Sequence, residues 1–447
     1  MTSLELGKST KTRVTMDNLD LNKSAKTKVA IEEGEELLHI HYPLSVINKK
    51  VRVLAGLDVG STQTRVVLID STSEEPDLTI YSVPSVSCTV SNDVEIRPQG
   101  DLLYNLMDST IVNKKVSNET IFTKERIVRG SKKTDFGGAE NRISSTMQKI
   151  SSKVFYMNAI DAIGYALCQK YKAKIPSDVE LVVGVALPPD DRQSTANREK
   201  FRKQLLGSYT WAHTDSKVAI NIDIAETDIL TEPEAFIKAY YIEEDQEVPE
   251  YVLHVNGGGR SIGVELLKNG VPIERTSKSL YYGGSQLIED LATLIAKSEG
   301  GREPNTNSLR KALDTGYLAK GKENKDIIEY IRTSKEEIAN KIFADIIKYV
   351  FDVQQEVSVE DVAEISVSGR LFAEGAYNIS IADFLEDKFK GISPSTEFVV
   401  FEGNYIPLGL CYQVYGEYSD FLEEVEEIAI GSNDSNTGKV VNFVSEN

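Results

Sequence analysis

The residues with the clearest chemical potential lie between Leu57 and Leu68, in the stretch L-D-V-G-S-T-Q-T-R-V-V-L. Apolar and β-branched residues flank a short polar turn, which predicts a β-hairpin. The turn consists of Gly60, Ser61, Thr62 and Gln63. Such a turn offers consecutive N–H groups and hydroxyls to an anion. Asp58 can hold a hydrated Mg²⁺ beside it, and Arg65 adds a fixed positive charge. The pattern predicts a phosphate-binding turn, and an ordinary hairpin with a polar turn is the alternative.

A second hairpin of the same kind is predicted from Tyr251 to Lys268. Its turn begins at Asn256 and continues through Gly257, Gly258 and Gly259. Glycines let a backbone approach a ligand more closely than a Cβ atom would allow. Between the hairpins, the segment T-E-P-E-A places Glu232 and Glu234 at the start of a predicted helix with proline in its first turn. Two anion-binding turns and a pair of acids are therefore the candidate chemical groups.

Hydrophobic periodicity and turn signals predict the elements that must position these residues. The predicted elements are a helix over 151–171 with one apolar face, a buried strand over 180–187, a helix over 195–206, a helix after Gly283-Gly284, a strand over 364–367 and a helix from 406. Ser334 and Glu337 form a capping-box pattern, which predicts that a further helix begins at Ser334. The strand over 364–367 leads directly into Ser368-Gly369-Arg370.

Composition limits the possible partners. The 447 residues carry a formal net charge of −19, which disfavours direct binding to nucleic acid. The three cysteines are far apart, so neither a zinc ribbon nor a disulfide framework is indicated. His39 and His41 lack a nearby third ligand, and a metal site there is disfavoured. No apolar run is long enough to span a bilayer and no secretory signal is present, which predicts a cytoplasmic protein without a membrane partner.

Residues 1–35 differ from the rest of the chain in composition. They are rich in Lys, Ser and Thr, and the pattern K-S-T-K-T-R-V-T-M at Lys8–Met16 returns as K-S-A-K-T-K-V-A-I at Lys23–Ile31. The segment is predicted to be a disordered basic extension, with a pair of short binding motifs as the alternative reading. Gly7-Lys8-Ser9-Thr10 resembles the end of a P-loop, but the required earlier glycine is replaced by Thr2.

The Asp58-x-Gly60-Ser61-Thr62 pattern resembles the first phosphate loop of the actin-like ATPase superfamily, and Arg65 is typical of the ParM-type plasmid-segregation actins. The later segments follow the order of that family over residues 51–418. The resemblance implies an α/β fold of two duplicated RNase H-like domains with a nucleotide in the cleft between them. The implied domains are 36–250 and 251–418, followed by a C-terminal segment, 419–447, whose end is expected to be disordered.

The resemblance also implies roles for individual residues. Asp58 would order the water shell of Mg²⁺, and Arg65 would neutralise phosphate charge. Gly60, Ser61, Thr62, Gln63, Gly257, Gly258 and Gly259 would bind the phosphates of ATP or GTP. Glu232, or Glu234 as the near alternative, would align the attacking water. An ordinary acid in the first turn of a helix remains the alternative for Glu232. Gly369 would pass close to the nucleoside.

Two features depart from the family pattern. Asn256 occupies the position at which the family nearly always has Asp, so it supplies no charge to the metal shell. The sequence therefore predicts a site that binds nucleotide well and hydrolyses it slowly. The nucleoside loop has a single glycine, Gly369, where two or three are common, which leaves the choice between ATP and GTP open.

The leading functional hypothesis is a nucleotide-dependent, filament-forming ATPase that segregates a plasmid or similar DNA. Its implied partners are other copies of itself, in a helical filament, and a DNA-binding adaptor, because the acidic chain would not bind DNA directly. One alternative is a non-hydrolysing scaffold of division or pilus machinery, which Asn256 would favour. The other is a small-molecule kinase on the same fold, for which the sequence shows no substrate-binding signature.

Overall fold

The computed structural model describes residues 44–71, 78–91, 106–115, 120–130, 139–141, 143, 149–172, 174–214, 218–320, 323–354, 356–373 and 378–423. The expectations for residues 1–35, for the His39 and His41 pair and for the chain end after residue 423 lie outside these ranges. Within them, no helix is both long enough and apolar enough to cross a bilayer.

The described residues in the first part of the chain form a ten-stranded sheet. Its strands are β1 Val46–Val59, β2 Gln63–Asp70, β3 Ile80–Pro84, β4 Ser87–Thr89, β5 Leu106–Asn113, β6 Lys124–Gly130, β7 Ala139–Asn141, β8 Ile175–Leu187, β9 Gly207–His213 and β10 Val218–Thr231. The spatial order is β3-β2-β1-β8-β10-β9-β5-β6-β4-β7. β8 runs parallel to both β1 and β10, whereas β2 is antiparallel to β1. The ends of β1 and β8 are continuously buried, as expected for central strands covered on both faces.

In the second part of the chain, the residues that the structure describes form a six-stranded sheet. Its strands are β11 Tyr251–Gly257, β12 Ile262–Lys268, β13 Val271–Pro272, β14 Lys278–Leu280, β17 Glu364–Ser368 and β18 Glu397–Phe401. β11 is antiparallel to β12 and parallel to β17, so this sheet repeats the hairpin-plus-parallel-strand arrangement of β1, β2 and β8. A separate two-stranded ribbon pairs β15 Tyr317–Lys320 with β16 Glu323–Asp326. Two large mixed sheets with helices confirm the predicted α/β class.

The helices are α1 Lys153–Tyr171, α2 Pro189–Gln193, α3 Thr195–Leu205, α4 Glu232–Glu243, α5 Gly284–Glu299, α6 Thr306–Thr315, α7 Ile328–Ile346, α8 Asp352–Gln354, α9 Ile381–Ile392, α10 Ile406–Tyr418 and α11 Asp420–Glu423. A π-helical turn, Ile347–Phe351, continues α7. The capping-box prediction at Ser334 is wrong. α7 begins six residues earlier at Ile328, whose N–H donates to the Asp326 carboxylate at 2.9 Å, and Ser334 lies buried inside the helix.

Helix α1 is buried around its whole circumference from Phe155 to Cys168, so the predicted single apolar face underestimates its burial. Hydrophobic periodicity could not predict this complete burial, because the other sides of the helix carry polar residues that are buried with hydrogen-bonding partners. Asp161 accepts hydrogen bonds from Ser109 at 2.5 Å and from Trp211 at 2.8 Å, and it forms an ion pair with Arg129. Burial of a paired charge is tolerated because its hydrogen-bonding capacity is filled.

Helix α10 returns to the first sheet after the chain has completed the second. The sequence placed it in domain 251–418, but its apolar residues pack with Leu54 and Val182 of β1 and β8. It also crosses α4 at very short range. A Cβ atom on Gly409 would lie 1.8 Å from the Ala235 carbonyl oxygen, so only glycine fits the crossing. Two crossing helices thus connect the sheets beside the loops described next.

Candidate functional site

The turns of the two long hairpins have the same construction. The N–H of Gly60 donates to the Gln63 carbonyl at 3.0 Å, and the N–H of Gly258 donates to the Ser261 carbonyl at 2.9 Å. A Cβ atom on Gly60 would lie 2.6 Å from the Gln63 oxygen, and one on Gly258 would lie 2.8 Å from the Ser261 oxygen. Each turn therefore requires glycine at the same position. Each also leaves two residues at its tip whose N–H groups lie beyond the strand ladder.

The two turns meet across the gap between the sheets. A Cβ atom on Gly259 would lie 3.1 Å from the Ser61 hydroxyl oxygen, so the tips approach within side-chain reach. The second turn is supported from behind by the start of α5. There the N–H groups of Gly284 and Ser285 donate to the carbonyls of Gly258 and Gly259 at 3.2 and 2.7 Å. The structure thus brings the two predicted phosphate turns together from distant parts of the chain.

Asp58 lies at the base of the first turn, where it is buried and paired with positive and amide groups. Arg65, its cross-strand partner, places Nη1 3.5 Å from Oδ2, and Asn404 donates from Nδ2 to the same oxygen at 3.3 Å. Burial raises the pKa of Asp58 above its usual value, and the Arg65 charge opposes that rise. Arg65 also donates to the side chain of Gln63. Both contacts are to Oδ2, so the carboxylate keeps Oδ1 as an oxygen acceptor of the kind that suits the water shell of a Mg²⁺ ion.

Glu232 is held by two donors at the N-terminus of α4. Lys149 Nζ lies 2.6 Å from Oε1, and Asn256 Nδ2 donates to Oε2 at 3.0 Å. The Lys149 and Glu232 side chains are only 16% and 13% exposed. Burial alone would lower the pKa of Lys149, but the charges of Glu232, Asp58 and Asp191 outweigh it, so that pKa is raised. Lys149 therefore remains an ammonium group, and it faces both acids of the site.

Glu234 lies two residues away but faces another part of the molecule. Its N–H donates to the Thr231 hydroxyl at 3.0 Å, and its Oε1 lies 3.5 Å from Lys238 Nζ. Burial raises the pKa of Glu234, and the charges of Lys238 and Arg192 oppose this. Of the two candidate acids, Glu232 is the one that contacts Lys149 and Asn256.

The remaining glycines of the site serve different steric purposes. A Cβ atom on Gly257 would lie 2.6 Å from the ring of Phe372, so this glycine permits packing beneath the turn. Gly369 has a φ of +92°, and its Cβ atom would lie 2.5 Å from the Gly257 carbonyl oxygen and 3.2 Å from Oδ1 of Asn256. Gly369 thus lies directly beside the second turn, where it lets β17 end against Asn256.

Sequence reasoning missed Lys149 and Asn404. Lys149 lies in a 3₁₀ turn, Lys149–Ser151, and contacts Glu232 from 83 residues away, so no local pattern marks it. Asn404 did carry a signal, because it lies just before the proline-containing start of α10. Its Oδ1 accepts from the N–H of Ile406 at 3.2 Å, which is a helix-capping contact. Its second contact, with Asp58, follows only from the return of α10 to the first sheet.

The fold resembles solved structures of actin-like proteins. The archaeal actin homologue Ta0583 aligns with a TM-score of 0.59 at 18% identity, over 82% of this chain and 99% of that chain. The actin-like protein Alp7A aligns with 0.58 at 14% identity, over 84% and 98%. A 15-stranded ParM filament from Clostridium botulinum aligns with 0.56 at 14% identity, over 83% and 99%. No sequence profile of a known family and no curated protein matches the chain.

These alignments show that the chain has the two-domain actin-like fold. They confirm the predicted fold class and the predicted structural resemblance to ParM and Alp proteins. The similarity extends over nearly the full length of each solved structure, so both domains are included.

Proposed function

We propose that this chain binds a nucleoside triphosphate together with Mg²⁺ between its two sheets, hydrolyses it slowly, and assembles into filaments in the nucleotide-bound state. One observation carries the proposal: two turns of identical construction meet tip to tip, with Asp58, Lys149 and Glu232 beside them. A paired set of anion-binding turns suits a chain of phosphates better than a single anion. A structure of the same archaeal actin homologue, Ta0583, in complex with ADP supports the proposal by analogy of fold.

Residues in and beside the two turns have different parts in binding. The N–H groups and hydroxyls of Ser61 and Thr62 bind phosphate oxygens, and Arg65 and Lys149 offset phosphate charge. Asp58 holds the water shell of Mg²⁺, whose positive charge stabilises the transferring phosphoryl group. Gly258 and Gly259 let the second turn approach from the other side. Both ATP and GTP fit this description, because the turns contact phosphates rather than the base.

Glu232 orients the attacking water in the proposed hydrolysis. It lies between Lys149 and Asn256, and each of its oxygens can accept one further hydrogen bond. Asn256 brings no second negative charge to this water, which is why we expect slow turnover. A non-hydrolysing scaffold is the second candidate function, and the same amide at position 256 favours it.

Filament assembly is the proposed use of nucleotide binding. Closure of two domains around a ligand changes the surfaces they present, and a heterologous contact that repeats produces a helical filament. The ParM filament from Clostridium botulinum supports this by analogy of fold. Because this chain carries a net charge of −19, it would repel DNA. An adaptor protein would therefore have to provide the basic surface that binds any plasmid DNA cargo.

Calorimetric titration with Mg-ATP and Mg-GTP tests the site. Asp58→Ala is expected to weaken binding at least tenfold, about 1.4 kcal/mol, because it removes the proposed metal-shell acid. Asp70→Ala is the matched control: Asp70 is equally buried in the same hairpin, but five residue pairs further from the turn, and it bonds Tyr171. The control should bind as wild type does. Equal affinities for wild type and Asp58→Ala would refute the site.

Pelleting and negative-stain microscopy at micromolar protein test assembly. We expect filaments with Mg²⁺ and one or both nucleotides, and none in buffer alone or with Asp58→Ala. Phosphate release measured in the same samples separates the two candidate functions, because a scaffold would assemble without releasing phosphate. Monomers under every condition would refute the proposed filament.

A further inference from the structure

A chain of buried polar side chains runs beneath the second turn and ends at Glu232. His254 lies on β11 between two serines of β17, with Nδ1 2.9 Å from Ser366 Oγ and Nε2 2.9 Å from Ser368 Oγ. Ser368 in turn lies 3.1 Å from Oδ1 of Asn256. His254, the two serines and Asn256 are each at most 7% exposed. Side chains of the second sheet thus connect step by step to the acid of the first domain.

The direction of every hydrogen bond in this chain follows from its end at Glu232. A carboxylate only accepts, so Asn256 must direct its NH₂ group toward Glu232 and its carbonyl oxygen toward Ser368. The Ser368 hydroxyl therefore donates to Asn256 and accepts from His254 Nε2–H. Burial lowers the pKa of His254 to about 3, so the ring is neutral and its Nδ1 accepts from Ser366. No member can reverse without leaving a buried group unsatisfied, which would cost about 1–3 kcal/mol.

We propose that Asn256 is a positioning residue, a fixed amide donor that holds Glu232 in the orientation needed to align water. This inference rests on the proposed nucleotide site. It gives Asn256 a different role from the one that the sequence suggested, which was the replacement of an Asp in the metal shell by an uncharged residue. At this position an ionised Asp cannot donate to Glu232. It would place two carboxylates about 3 Å apart, where like charges make the pair retain a proton.

The surroundings of Glu232 make a pH profile informative. The charged groups that interact with it are Lys149 from the 3₁₀ turn and Asp58 from β1. Arg65 from β2 acts in turn on Asp58, and Asp191 from α2 acts on Lys149. An Asp at position 256 would add another acid beside Glu232, whose ion-pair partner is Lys149. In Asn256→Asp we therefore expect the pair of carboxyl groups to hold one proton to a higher pH than an isolated carboxyl group would.

Two variants and a matched control test the inference by phosphate release at saturating Mg-nucleotide between pH 6 and 9. Ser368→Ala frees the Asn256 amide to rotate and should lower the rate at least fivefold while nucleotide affinity stays within twofold. Asn256→Asp should not exceed the slow wild-type rate, because its carboxyl group shares a proton with Glu232 in place of the fixed amide donor, and its rate should depend on pH across this range. Ser366→Ala removes an equally buried hydroxyl from the same strand and the same histidine, but does not touch Asn256, so it should behave as wild type.

Melting temperatures without nucleotide provide a second readout that does not depend on hydrolysis. A carboxyl group whose pKa is raised in the folded state stabilises at low pH and loses that contribution as pH rises. The melting temperature of Asn256→Asp relative to wild type should therefore fall between pH 5 and 8. Parallel melting profiles, or Ser368→Ala as fast as Ser366→Ala, would overturn the inference. If wild type binds nucleotide but releases no phosphate, proposed hydrolysis fails, and the melting profiles alone decide whether Asn256 holds Glu232.

Discussion

Glu265 is a buried acid at the junction of the two domains, and its substitution by Gln should change how stability depends on pH. The side chain lies on β12 and is fully buried. Its oxygens accept from the hydroxyls of Ser277 and Thr231. Thr231 also caps α4 by accepting from the N–H of Glu234 at 3.0 Å. Glu265 therefore contacts the helix end that carries Glu232, and its charge state affects the contact between the domains.

Burial raises the pKa of Glu265 to about 7, although the hydroxyls of Ser277 and Thr231 and the charge of Arg192 oppose the rise and Glu234 adds to it. The usual value is 4.5, so the folded protein binds this proton more tightly than the unfolded chain. The contribution of Glu265 to the free energy of unfolding is then fully present below pH 4.5 and is lost as pH rises through 7. Between pH 5 and 8 the loss is about 2 to 3 kcal/mol, at about 1.4 kcal/mol per pKa unit.

Glu265→Gln keeps the shape of the protonated acid and removes its titration. We expect the free energy of unfolding of the variant, relative to wild type, to increase by about 2 kcal/mol between pH 5 and pH 8. Denaturant unfolding at four pH values measures this. Glu180→Gln is the control, because hydrogen bonds from Lys50 and Arg52 outweigh the effect of burial and lower the pKa of Glu180. Glu180 is then ionised in both the folded and the unfolded state above pH 5, so the difference between this variant and wild type should stay nearly constant between pH 5 and pH 8. A difference between Glu265→Gln and wild type that does not change with pH would refute the reasoning.

Three further predictions concern stability. Arg129→Met should cost about 3 to 5 kcal/mol, because it leaves Asp161 charged and buried without its ion-pair partner; the double variant Arg129→Met/Asp161→Leu should recover part of the loss in the same denaturation assay. Ser334→Ala should raise the free energy of unfolding by up to about 1 kcal/mol, because its hydroxyl has no partner among the described residues. If Ser334 capped a helix, its replacement by Ala would instead lower the free energy of unfolding by about 1 kcal/mol, so a destabilised variant would contradict the structure. Deleting residues 1–35 should change the melting temperature by less than about 3 °C in calorimetry, because their composition offers little apolar surface to a core.

Turn chemistry explains why the hairpins could be predicted from the sequence. The hydrogen bond from Gly60 to Gln63 and the bond from Gly258 to Ser261 each span four consecutive residues, so the pattern that signals them is local. The apolar strand that ends at Gly257 and the proline at the start of α4 are equally local signals. The helix predicted to start at Ser334 failed for a related reason. Any helix that has Ser and Glu three residues apart shows the capping-box pattern, even when the two residues lie in its interior. In α7 the actual N-terminal contact is made by Asp326.

The contacts that assemble the site could not be predicted in this way. Lys149 meets Glu232 from 83 residues away, Ser368 meets Asn256 from 112 and Asn404 meets Asp58 from 346. Such pairs depend on how the two sheets and α10 are arranged, and no local pattern records that arrangement. The same limit applies to Asn256. Its residue type suggested a missing charge, whereas its neighbours show an amide with both ends bonded.

The position of α4 connects these observations. Thr231 and Glu232 are adjacent at its N-terminus, and each is bonded to a different strand of the second sheet, through Glu265 of β12 and Asn256 of β11. Phe236, one turn further along, stacks on His254 at 4.7 Å between ring centroids. One face of α4 therefore rests on the elements that carry the second turn. If nucleotide binding moves the second turn relative to the first, the contacts of Thr231, Glu232 and Phe236 with the second sheet must rearrange. We therefore expect variants of Thr231 and Phe236 to alter assembly at nucleotide affinities near that of wild type, because neither side chain belongs to the phosphate-binding turns.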